Sequence, residues 1–209
     1  KKTFGVNLIV MHPRLYELAS TCVSCNVSHV VLAGGLPPSK LINYFKERGI
    51  KVVAFAPTVL IAKRLVKIGV DALVIEGLEA GGHVGPVSTN VLAQEILPHI
   101  NDVPIFVAGG IGRGEAMAFF LSLGASGIQM GTRFVCARES IAHKNFKNIF
   151  IKSNSRDAIL TVQIDERFPV IPVRALKNKG TDLFIQKQKE VISEYDKGVM
   201  TLKEAQLEI

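Results

Sequence analysis

The side chain best suited to moving a proton is His83, which stands in the run Glu79-Ala80-Gly81-Gly82-His83-Val84-Gly85. Glycines flank it, and no apolar periodicity marks it as a core residue. An imidazole accepts and donates protons at neutral pH, so a histidine held clear of the core is equipped for acid–base chemistry. The plainer reading is a loop histidine facing water. Two glycine-bearing turns suggest an anion. Gly109-Gly110-Ile111-Gly112-Arg113-Gly114 follows an apolar stretch and opens a helical one, so backbone N–H groups and a helix N-terminus are available to a phosphate. It is not a dinucleotide fingerprint, because counting from Gly110 the third glycine position is Glu115. Met130-Gly131-Thr132-Arg133, read as the end of the next strand, adds N–H groups and a hydroxyl. Each turn taken alone also fits an ordinary βα turn or a packing glycine.

The remaining histidines and the cysteines carry less. His29, His99 and His143 fall at a strand start, a helix end and a polar helix face, where structural or solvated roles are expected, while His12 lies just past a strand end and keeps a claim to a site. Cys22 and Cys25 form a C-x-x-C inside a helical pattern with Leu15, Leu18 and Val23, which favours core packing over a redox pair. A metal would have only Cys136 to add, and no metal site is expected.

What must position these residues is a βα repeat. Short apolar, β-branched runs at 4–10, 29–34, 51–56, 72–77, 104–110 and 127–134 alternate with helical patterns at 13–25, 39–48, 59–68, 90–100 and 114–123. Gly49, Gly69 and Gly124 sit where helix ends are expected. Runs apolar on both faces belong to a parallel sheet covered on both sides, so the fold class is α/β. The strand starts are 21 to 25 residues apart except for one interval of 32, and the surplus, just after the fourth strand, contains His83. In a (β/α)8 TIM-type barrel that is the face on which sites are built. Six strands would leave two open edges, and the phosphate-like turns follow the fifth and sixth. A barrel lacking its first two strands is therefore expected, with residues 1–150 as the partial barrel and 151–209 as an accessory or lid segment. Within the latter, 158–162 and 170–176 read as short strands, and 182–207 as a charged helix broken near Gly198. The abrupt start in a strand and the uncapped end at Ile209 suggest a fragment.

Composition narrows the class. Of the 209 residues 48% are hydrophobic and 21% charged, which suits a folded domain. The net charge of +7 is spread along the chain without a basic stripe or interleaved aromatics, so nucleic acid is not the expected partner. No apolar run reaches membrane-spanning length and no secretory leader is evident, and three unevenly spaced cysteines fit a reducing compartment. A cytoplasmic protein without a membrane role is expected.

Five blocks together resemble the nitronate monooxygenase family, formerly the 2-nitropropane dioxygenases, which includes enoyl-acyl-carrier-protein reductase II. They are Phe4-Gly5-Val6-Asn7-Leu8, Gly69-Val70-Asp71-Ala72 leading into Glu76-Gly77, the Glu79–Gly85 run, Ala108-Gly109-Gly110-Ile111, and Leu123-Gly124-Ala125 leading into Met130-Gly131-Thr132-Arg133-Phe134. The resemblance implies an FMN-dependent oxidoreductase. Asn7, Glu76, Gly81 and Gly82 would lie along the flavin, Gly109, Gly110, Gly131 and Thr132 would hold its phosphate, and His83 would be catalytic. It implies either oxidation of alkyl nitronates with O₂ or NAD(P)H-dependent reduction of an enoyl thioester. The basic balance and the 131–146 segment lean towards the reductase and an acyl carrier protein partner, and the breadth of the family towards the monooxygenase. A homodimer is compatible with either. A third reading is a flavin-free barrel that binds a phosphate metabolite, which would keep both glycine turns but has no use for Gly81-Gly82-His83.

Overall fold

The computed structural model describes residues 3–209. In chain order the elements are β1 (Gly5–Ile9), α1 (Leu15–Ser24), β2 (His29–Ala33), α2 (Ser39–Lys46), β3 (Lys51–Phe55), α3 (Val59–Ile68), β4 (Ala72–Glu76), β5 (Gly82–His83), α4 (Thr89–Ile96), β6 (Ile105–Ala108), α5 (Gly114–Ser122), β7 (Gly127–Gln129), α6 (Thr132–Val135), α7 (Lys144–Lys152), β8 (Ala158–Leu160), β9 (Val173–Leu176), α8 (Lys179–Asp196) and α9 (Leu202–Glu208). They form two compact units. One runs to Leu78 and resumes over Pro86–Met130, and the other joins Glu79–Gly85 to Gly131–Ile209.

The first unit is the α/β layer that the alternating pattern implies. Its six strands are all parallel and lie in the order β1-β2-β3-β4-β6-β7, each beside its neighbour in the repeat. Right-handed crossovers between sequential neighbours put every helix on the same face of the sheet, as in a barrel of the TIM type. The burial follows. Leu8, Leu32, Ala54, Leu73 and Ile105 form one row in register on the helix side, all buried, and they share a core with Leu41, Phe45, Leu65 and Ile96. The opposite face is less covered than a two-sided apolar pattern leads one to expect, since Val31, Val53, Phe55 and Phe106 on it are half-buried. Phe106 and Gly127 are register partners there, and a Cβ on Gly127 would come within 2.9 Å of the Phe106 ring.

Helix ends fall where the residue chemistry puts them. Thr58 caps α3 by accepting from the Ile61 N–H, and Gly69 closes it in the left-handed conformation at φ 104°. Cys22 is buried in the core while Cys25, at the end of α1, is exposed. Asp71, just ahead of β4, ties two strands together by accepting from Lys46 at 2.7 Å, Lys51 at 3.0 Å and the Val52 N–H at 2.8 Å.

The second unit has a small core, with Phe168, Val191 and Ala205 buried among Ile192, Tyr195, Met200 and Ile209. Polar contacts supplement it. Buried Gln188 donates to the Val162 carbonyl at 3.0 Å and accepts from the Ile164 N–H at 3.3 Å. The charged helix divides as its pattern suggests, into α8 and α9, with Gly198 at φ 73° between them. The two short runs pair antiparallel as β8 and β9, and β9 also pairs with β5, an attachment that no periodicity signals. The apolar run 127–134 is not one strand. Pairing stops at Gln129, and Gly131, in a right-handed turn conformation, accepts from the Phe134 and Val135 N–H groups to start α6.

Burial opposes ionisation of Asp71, but the hydrogen bonds from Lys46, Val52 and Lys51 outweigh it and hold the carboxyl below its ordinary value. A lowered native pKa contributes stability above the unfolded value and loses it as pH falls through the native one. Asp71→Asn is therefore expected to cost about 1–3 kcal/mol at pH 7. Urea melts should show that deficit shrinking once the pH drops below about 4.

Candidate functional site

In the first unit, Glu76 ends β4 in register with Ala108 of β6, which in turn pairs with Gln129 of β7. These three residues form the row nearest the C-terminal rim, directly below the turn of Gly109 and Gly110. Glu76 is half-buried, and burial alone pushes its carboxyl up from the ordinary range. A carboxyl so placed holds its proton to a higher pH than an exposed one does. Gly109 and Gly110 follow β6 with φ of 108° and 69°, two consecutive left-handed positions that side chains rarely adopt. α5 begins at Gly114. The 109–114 stretch is thus a turn built on backbone, open at a helix N-terminus.

A stitch between neighbouring loops supports that turn. Thr89, at the first position of α4, is buried, and its hydroxyl donates to the Gly109 carbonyl at 3.3 Å. Gly77 makes room for it. A Cβ on Gly77 would lie 2.2 Å from both the N and Oγ1 of Thr89, and the Gly77 N–H donates to the Ala108 carbonyl at 3.2 Å. Asn7 is not gathered here. It is exposed, third of the five residues of β1, and its register row runs through Val31 and Val53 to Ala72, four residues before Glu76.

In the second unit, His83 belongs to β5 rather than to a free loop. Gly82 and His83 pair with Arg174 and Val173 of β9, and the next N–H, of buried Val84, donates to the Pro172 carbonyl at 3.0 Å. The imidazole itself is exposed. Gly82 turns the chain with φ 83°, and a Cβ on Gly81 would meet the Thr132 hydroxyl oxygen at 3.4 Å. This unit therefore brings Gly81 beside Thr132, with Gly82 and His83 next in the chain and paired to β9, and these residues and Gly131 are all exposed. The other histidines are engaged locally. His12 Nδ1 accepts from the Arg14 N–H, His29 contacts the Ser28 hydroxyl, His99 contacts the Glu95 carbonyl, and His143 caps α7 by accepting from the Asn145 N–H.

Residues 4–205 match the model of the nitronate monooxygenase family. The chain belongs to that family. A nitronate monooxygenase-family relative from Staphylococcus saprophyticus, named a "probable nitronate monooxygenase", is 33% identical over 75% of this chain and 44% of its own length. A Rhodococcus jostii protein named (3aS,4S,5R,7aS)-5-hydroxy-7a-methyl-1-oxo-octahydro-1H-indene-4-carboxyl-CoA dehydrogenase is 33% identical over 62% of this chain and 36% of its own. The structure of FabK from Thermotoga maritima superposes with a TM-score of 0.81 at 33% identity, covering 98% of this chain and 61% of FabK. The chain thus spans less than half the length of these curated relatives. Among the described residues no helix is long and apolar enough to cross a membrane.

Thr89, Gln129 and the pair Gly34-Gly35 escaped the reading of the sequence. Gly34 and Gly35 follow β2 with φ of 75° and 130° and repeat the Ala-Gly-Gly triplet found at Ala80 and Ala108. That repetition was a usable signal. Gln129 is the one polar residue of a short apolar strand, whereas nothing local marks Thr89 as buried.

Gly77→Ala must displace the backbone of α4 rather than a side-chain tip, so it should cost about 3 kcal/mol. A thermal melt close to that of the unsubstituted chain would show that the Thr89 stitch can yield.

Proposed function

We propose that this chain is the flavin-bearing part of an FMN-dependent oxidoreductase that oxidises alkyl nitronates with O₂. The reading rests above all on the family match, which runs through the segment carrying His83, an exposed imidazole whose backbone is pinned by β9. The residues present suit the group. Within the first unit the left-handed Gly109-Gly110 turn suits a phosphate and half-buried Glu76 shares its rim, with Asn7 off that row, and within the second unit Gly81 lies beside Thr132. When bound, FMN supplies reversible electron transfer. The Gly109 and Gly110 N–H groups would donate to its phosphate, and the family resemblance assigns the Thr132 hydroxyl the same task. With a neutral nitroalkane, His83 would take the proton from the carbon that bears the nitro group and so generate the nitronate, and the β5–β9 pairing limits where its ring can reach. Exposed Cys25 stays reduced in the cytoplasm, where we place the protein.

The reductase alternative draws support from the likeness to FabK. It keeps the same residues, with His83 donating a proton to an enoyl thioester, NAD(P)H as the electron source and an acyl carrier protein as the carrier. Anaerobic mixing of the FMN-loaded chain with a nitronate, NADH, NADPH and a crotonyl thioester in turn separates the two. Bleaching of the flavin band by the nitronate alone supports the monooxygenase, and bleaching by a nicotinamide that the thioester reverses supports the reductase. A chain that stays colourless after reconstitution with FMN would favour a flavin-free phosphate-binding barrel.

His83→Ala should retain FMN while turnover falls by about a hundredfold; unchanged turnover would remove the imidazole from the chemistry. Gly110→Asp should lose FMN, because it places a side chain at φ 69° and a carboxylate against the phosphate. Flavin content after gel filtration measures that loss.

A further inference from the structure

Lys147 is the fourth residue of α7, in the helix's first turn, where the macrodipole disfavours a positive charge. What holds the charge there is the preceding loop. The ammonium donates to three backbone carbonyls, of Ser140 at 2.6 Å, Ala137 at 2.7 Å and Arg138 at 3.3 Å. A lysine ammonium has three N–H donors and no acceptor, so three carbonyls use its full capacity. Those carbonyls come from three of four consecutive positions, and dipoles of one sign converging on one point repel unless a cation sits among them. Local bonds preserve the bend, since the Ser140 N–H donates to the Ala137 carbonyl at 3.3 Å and the Ser140 hydroxyl accepts from the Ala142 N–H at 3.3 Å. His143, capping α7, fixes the helix start that aims Lys147 back at the loop.

We propose that residues 137–140 form a monovalent-cation cup, filled in this protein by the Lys147 ammonium and able to take a free cation when that side chain is removed. The ligand class follows from the acceptors. Three neutral carbonyls with no carboxylate among them suit ammonium, potassium or a primary alkylammonium better than a divalent ion, which prefers charged oxygen ligands. Lys147→Ala keeps Cβ and deletes three carbons and the nitrogen, which is the skeleton of propylammonium. Lys147→Met removes the charge and fills the path of the stem as far as the lysine Cε, so it leaves no room for the propyl chain of an added propylammonium.

The experiment compares thermal melts of the unsubstituted chain, Lys147→Ala and Lys147→Met in choline, ammonium, potassium and propylammonium chloride at equal ionic strength. In choline, Lys147→Ala should melt about 5 °C or more below the unsubstituted chain. Propylammonium should restore at least about half of that difference, with no such gain for the other two proteins. Equal melting in choline, no gain from propylammonium in Lys147→Ala, or a gain shared by all three proteins, overturns the proposal. Should Lys147→Ala fail to fold, amine acetylation of the native chain decides. Lys147 should react about tenfold more slowly than exposed Lys144 and Lys152, and equal rates sink the cup.

Discussion

Parallel strands that neighbour one another in both sequence and space must be joined by crossovers, and crossovers of one hand deliver every helix to the same side. That constraint organises the first unit. It separates a helix-covered face, carrying Val30, Leu32, Val52 and Ile75, from an inner face on which Val31, Val53, Phe55 and Phe106 are only half-buried. It also sends every strand's C-terminal end to one rim, so that Glu76, Ala108 and Gln129 form a row there without any long-range signal in their own neighbourhoods. The glycines at that rim serve different ends. Gly109 and Gly110 provide backbone conformations closed to other residues, whereas Gly77 provides vacant volume for Thr89.

The second unit is held by different means. With few buried apolar residues, it relies on capped helices and on side chains that bond to backbone. Asn178 and Thr201 each take part in a reciprocal cap, and Gln188 and Arg167 tie loops to α8. Such contacts are directional. They fix loop geometry more sharply than the same number of apolar contacts would, which suits a unit that carries an exposed imidazole on a two-residue strand.

Most of the first unit was legible because its signal is periodic. Six short apolar runs alternate with five helices that bury an apolar face, and the predicted and observed bounds of α3 coincide at Val59–Ile68. The His83 segment was legible as chemistry but not as structure. A two-residue strand has no period to read, and its partner Val173 lies far along the chain, so residue types alone could not show β5. The run 127–134 misled for a related reason: apolar character continues past Gln129, but a glycine lets the backbone leave the extended region, and the register ends there. Contacts such as that of Gly77 with Thr89 depend on tertiary approach and have no sequence signature beyond the glycine itself.

The pairing of β5 with β9 also has a consequence in time. Val173 leaves the ribosome roughly 90 residues after His83, which at translation rates of about 5–20 residues per second is several seconds or more. Throughout that interval the first strands can already be assembling, since their partners are successive in the chain. The histidine-bearing strand must wait for its mate, so the backbone of the imidazole is fixed later than the first strands, and a nascent chain cannot hold it ready before synthesis has passed Val173.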